Sequence, residues 1–87
     1  MGTQITGGVD THLDVHVAAA LDEHGGVLGA ASFETTPDGY TALIGWLGSF
    51  GDVVLVGVEG TGSYGTGLTR ALQRVGIEVV EVDRPNR

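Results

Sequence analysis

Two carboxylates stand where chemistry could be done. Asp10 closes the run 4–10 (QITGGVD), and Glu59 directly follows the apolar run VVLVGV at 53–58. Ending a buried run on a charge costs desolvation free energy unless something compensates it. An ordinary strand-end acid facing solvent is the simpler account of either residue alone. The pair becomes informative once the fold brings the two together. Carboxylates held close repel, so one pKa rises unless a cation lies between them. Hard oxygen ligands of this kind select Mg2+ or Mn2+. Paired ions about 3.5–4 Å apart activate an attacking oxygen and stabilise the leaving one in phosphodiester chemistry. Two acids are too few to close such a site, so further ligands must come from elsewhere.

The elements around the acids must therefore build one sheet. Residues 4–10 read as a short buried strand, followed after the connection 11–14 by a second strand over 15–21 (VHVAAAL). The turn signal DEHGG at 22–26 returns the chain into a third strand over 27–33. Three strands with short connections make an antiparallel meander. Thr36 then reads as a helix N-cap, Pro37 as the first helical residue, and Asp38 as complement to the positive helix end. Tyr40, Leu43, Ile44 and Leu47 recur at the i, i+3, i+4, i+7 spacing of one apolar face, and residues 48–52 break the helix.

Residues 53–58 are apolar throughout, as in a strand covered on both faces. The turn GTGSYGTG leads into a second helix with the stripe Leu68, Ala71, Leu72 and Val75, capped by Gly76. A fifth strand over 77–82 completes the order βββαβαβ. Strand-helix-strand crossovers are right-handed in nearly all cases. The assembly that follows is an α/β fold: one mixed five-stranded sheet, strand order 3-2-1-4-5, with helices packed on its faces. That arrangement is RNase H-like. Its first and fourth strands are parallel neighbours about 4.8 Å apart. Asp10 and Glu59 then share the carboxyl edge, where open α/β sheets place their ligands.

Composition bounds this reading. Eighty-seven residues suffice for one small domain, and 41% hydrophobic residues argue for a packed core rather than disorder. The absence of cysteine excludes a disulfide framework and a thiolate metal site, and fits a reducing cytoplasm. No stretch approaches the roughly 20 apolar residues of a membrane span. No signal peptide is visible, and Met1 reads as a true start. Net charge is -7, and the four basic residues Arg70, Arg74, Arg84 and Arg87 crowd the C-terminal end. Since phosphate neutralisation by Lys and Arg dominates nucleic-acid affinity, these 87 residues alone are not expected to bind DNA tightly.

Other polar residues are weaker candidates. His12 follows Asp10 in the connecting loop and reads as an active-site neighbour; His16 and His24 read as surface residues. The i, i+4 spacing of His12 and His16 is a ligand pattern only on a helix. Asp14 is an accessory ligand or, more simply, a turn residue. Ser63 and Tyr64 either line a DNA path or serve as a helix-capping Ser and a packing Tyr, the simpler assignment. Trp46 and Phe50 belong to the core or to an interface.

Two other functions share features with this pattern. Gly60-x-Gly62-x-x-Gly65 formally matches the dinucleotide fingerprint, with Glu81 and Asp83 about 20 residues on, where a ribose-binding acid stands. Glu59 would point negative charge at the pyrophosphate, and a three-strand meander is not how a Rossmann domain begins. Sugar kinases and actin-like ATPases also open with a strand, an Asp and a hairpin ending in D-x-x-G. They place Gly-Thr or Gly-Ser after the first acid, whereas Thr11-His12 stands here. A catalytically silent interaction module is a third alternative.

The segments GVDTHLDVHVAAALDEHG, FETTPDGYTALIGWL and VGVEGTGSYGTGLTRALQRVGIEVVEVDRPNR together resemble the N-terminal domain of the insertion-sequence-110 (DEDD) transposases. The catalytic domain of that family is similar to RuvC, the Holliday-junction resolvase. The resemblance covers essentially the whole chain. It implies a partial RNase H-like catalytic domain over 1–87, the N-terminal part of a longer transposase that cleaves and transfers DNA strands with Mg2+ or Mn2+. The family's first acid falls on Asp10 and its second on Glu59, as catalytic and metal-binding residues. Its third and fourth acids fall beyond Arg87, as does a C-terminal domain carrying a serine nucleophile. The resemblance further implies DNA as substrate, a structured guide RNA, assembly with other copies, and no activity for these 87 residues alone.

Overall fold

The computed structural model describes residues 3–82. Its elements are β1 (Gln4–Thr11), β2 (Val15–Leu21), β3 (Val27–Glu34), α1 (Pro37–Gly48), β4 (Asp52–Glu59), α2 (Thr66–Arg74) and β5 (Glu78–Val82). They form one sheet in the order β3-β2-β1-β4-β5. β1–β2 and β2–β3 are antiparallel, and β1–β4 and β4–β5 are parallel, as the order of elements predicts.

Local chemistry explains the turns. Asp22 Oδ1 accepts the amides of His24 at 2.9 Å and Gly26 at 2.8 Å, which closes the β2–β3 hairpin. These backbone donors lower the Asp22 pKa, because they favour its ionised form. At the start of α1, Thr36 Oγ1 accepts the Gly39 amide at 3.0 Å and Pro37 needs no partner for a missing N–H.

Both helices lie on the same face of the sheet. Leu43 and Leu47 of α1 and Leu68 and Leu72 of α2 pack with Ile5, Val9, Ala18, Ala20, Val56 and Val58 into one buried cluster. Phe33, Trp46 and Phe50 extend it along the β3 side, with Trp46 and Phe50 edge to face at 5.1 Å between ring centroids. Among the described residues nothing covers the opposite face, so β4 is buried on one side rather than on both. That open face forms a trough of about 700 Å3, with Gly8, Ala19 and Gly57 among the small residues that line it.

Two residues sit elsewhere than their sequence context predicts, and one strand pair carries an irregularity. His16 is fully buried rather than at the surface, stacked on Tyr40 at 5.8 Å between ring centroids and 13° between planes. Its strand neighbours Ala18 and Ala20 face the same core, so the strand period leaves the imidazole no other direction. Val75 is 58% exposed, because α2 ends at Arg74 and Val75 falls at its C-cap, off the apolar stripe. The register of β1 and β4 also slips between Ile5↔Val53 and Thr6↔Leu55, leaving Val54 as a bulge.

Candidate functional site

β1 and β4 pair in parallel through Gly7↔Val56, Gly8↔Gly57 and Val9↔Val58. Asp10 and Glu59 are the next residues along the two strands. Side chains alternate between faces, so Val9 and Val58 enter the core while Asp10 and Glu59 turn to the open face. Both acids line the trough there, beside Val17 and Val82, their partners on the outer strands. The predicted pair is thus brought together on one face at one end of two central strands.

Thr11 keeps the strand ends in step. It is buried, and its Oγ1 donates to the Glu59 carbonyl at 2.6 Å. Gly60 follows in the left-handed region, φ 71°, which turns the chain away from the sheet directly after Glu59. A Cβ there would stand 2.9 Å from Thr11 Oγ1, against the group that makes this tie. Nothing in the sequence marks Thr11 for this role, since a threonine after an acid carries no signal of its own.

His12 meets Asp10 directly: its Nε2 lies 3.0 Å from Asp10 Oδ2, and both side chains are about half exposed at 47%. The turn that carries His12 is held from a second element. The His12 amide donates to the Val15 carbonyl, Thr35 Oγ1 donates to the His12 carbonyl, and the Thr35 amide donates to the Asp14 carbonyl. Asp14 itself is exposed.

In the β4–α2 loop, Ser63 and Tyr64 do not take the simpler of their two expected roles, helix cap and packing residue. Ser63 Oγ accepts the Tyr64 amide at 2.6 Å, whereas the α2 N-cap is Gly65, without a side-chain cap. Tyr64 is 49% exposed rather than packed. His24 is exposed, as its turn position predicts. Among the described residues no set of three or more His, Cys, Asp or Glu side chains gathers to hold a metal. Asp10 and Glu59 stand as two hard oxygen donors, a donor set that fits part of a divalent-cation site.

An antiparallel three-strand meander followed by two strands in parallel crossover, in the order β3-β2-β1-β4-β5, is the architecture of an RNase H-like domain. The family model described as Transposase, that of the insertion-sequence-110 DEDD type, matches residues 7–86. The chain belongs to this transposase family, whose substrate is DNA. A comparison with curated proteins gave no match.

The dinucleotide alternative fails on topology, because its fingerprint belongs to a parallel βαβ opening and β1 to β3 form a meander. Asp83, one of its two candidate acids, lies outside the described residues, as do Arg84 and Arg87. The kinase-like alternative shares the order of elements, and there the family match decides. No helix among the described residues is long and apolar enough to cross a membrane.

Proposed function

We propose that Asp10 and Glu59 are the first two carboxylates of a divalent-metal site for DNA strand cleavage and transfer in transposition. The observation that carries this reading is their placement one residue past the Val9↔Val58 pair, on the open face of adjacent parallel strands. Mg2+ or Mn2+, when bound, supplies Lewis-acid activation of the attacking oxygen and charge stabilisation of the leaving one. The chain's own residues do the positioning. Thr11 holds the two strand ends in register, Gly60 clears the turn beside Glu59, and the trough leaves the carboxylates open to a phosphodiester.

Two further acids are required to complete a two-metal site, and their place in this proposal is beyond Arg87, in a longer RuvC-like transposase of which residues 1–87 are the N-terminal part. The 87-residue chain would then bind metal weakly and leave DNA uncut. Guide-RNA recognition and assembly with other copies belong to the same proposal as properties of the longer protein.

An amide NMR titration of the 87-residue chain with Mn2+ tests the pair. The expected result is millimolar broadening centred on residues 10 and 59, abolished in Asp10→Asn and in Glu59→Gln. Broadening confined to His16 and His24, or none at all, would overturn the assignment.

A further inference from the structure

Resting on that reading of the acid pair, we propose that His12 is the positioning residue of Asp10. It donates an imidazole N–H to one carboxylate oxygen and so fixes the orientation in which Asp10 meets the divalent ion.

Strand geometry puts the two side chains together. Residues 10 and 12 share a parity, and buried Thr11 between them points to the core. The contact is 3.0 Å from Nε2 to Oδ2. An ionised carboxylate only accepts, so the proton of this bond sits on Nε2. That leaves the Nε2 side of the ring committed to Asp10, and His12 acts through the carboxylate instead of binding the ion itself.

The backbone beneath the ring separates this contact from a casual surface pair. Exposed ion pairs contribute little when two flexible side chains must both be ordered. Here the amide of His12 is held by Val15, its carbonyl by Thr35 Oγ1, and the following turn by the Thr35 amide on Asp14. Three bonds from two other segments fix where the ring starts. Part of the ordering cost is therefore met by the fold itself, before any ion arrives. Outer-shell hydrogen bonds of this kind orient a ligating group, and their loss typically weakens metal binding about 10- to 100-fold.

The test is Mn2+ affinity of the 87-residue chain, read from the free-ion EPR signal and from amide broadening at residues 10 and 59. His12→Ala is expected to weaken binding about 10-fold while leaving the amide spectrum dispersed and the melting temperature near that of the parent. His12→Gln, whose side-chain N–H can replace Nε2–H, is expected to recover most of the affinity. Equal losses in His12→Ala and His12→Gln would overturn the positioning role. Parent-like binding by His12→Ala, with binding lost in Asp10→Asn, would overturn it too and leave the acid pair standing. No Mn2+ binding by the parent chain would remove the acid pair and this inference together.

Discussion

The two faces of the sheet are built from alternate residues of the same strands, yet they differ in almost every physical respect. On the covered face, Ile5, Val9, Val56 and Val58 are fully or almost fully removed from water under Leu43, Leu47, Leu68 and Leu72. Each such side chain contributes roughly 1.5–3 kcal/mol by burial. The open face carries Thr6, Gly8, Ala19 and Gly57 along its middle, with Val17, Val80 and Val82 about 40% exposed around them. It ends in Asp10 and Glu59. Val9 and Asp10 are chain neighbours with opposite tasks, as are Val58 and Glu59. Stability is concentrated on one side, so the other can keep charge near water and leave room for a ligand. A carboxylate on the covered face would meet a desolvation cost that nothing there offsets.

Matched truncations on the two faces are expected to differ most. Leu47→Ala opens a cavity in the buried cluster and is expected to cost about 3 kcal/mol. Leu55→Ala removes the same atoms from the trough and should cost less than about 1 kcal/mol. Urea unfolding of both variants checks this, and equal losses would mean that the open face is covered in solution.

Adjacent glycines give a finer version. A Cβ at Gly7 would sit 3.1 Å from Leu47 Cδ1 and 3.1 Å from Val56 Cγ2, whereas a Cβ at Gly8 meets nothing within 4 Å. Gly7→Val is therefore expected to destabilise by about 2 kcal/mol through overpacking. Gly8→Val should stay within about 0.5 kcal/mol of the parent, or stabilise it through better strand propensity. Thermal melts of the two single variants decide it; similar shifts would contradict the assignment of faces.

The order of elements was legible in the sequence because turn and cap residues announce it. Asp22 and Gly25 mark the hairpin, Thr36 and Pro37 open α1, and Gly76 ends the α2 region in a left-handed conformation, φ 84°. Each strand and helix falls within a residue or two of its expected limits. What stayed hidden was the choice of face. In β2 (VHVAAAL) and in VVLVGV, both parities are apolar, so a period of two cannot say which side meets the helices. The bulge at Val54 then shifts the phase of β4 partway along, with no glycine or proline to signal it. The neighbouring placement of Asp10 and Glu59 was legible because it needs only strand order and strand ends. Thr11 and Thr35 were not, because their roles are hydrogen bonds across 48 and 23 residues.

His16 is where the covered face departs from its own rule, and it gives the smallest expected effect. It is a titratable ring in an otherwise apolar layer, and neither nitrogen has a hydrogen-bond partner among the described residues. Removal from water is the main cause that lowers its pKa below 6.5. The Val15 backbone, near the ring though outside hydrogen-bonding geometry, opposes this, and the charge on His12 adds to it. Above the unfolded value of 6.5 both states hold the ring neutral, so His16 gives stability no pH dependence there. As pH falls below that value the unfolded chain takes up a proton that the folded chain resists, and stability declines. The decline ends once the folded ring itself is protonated. Urea midpoints at pH 8 and pH 5.5 should therefore differ more for the parent than for His16→Phe, which keeps a ring against Tyr40 without a proton to bind. Identical differences would show that His16 does not carry the acid sensitivity of the fold, and that the covered face tolerates a charge after all.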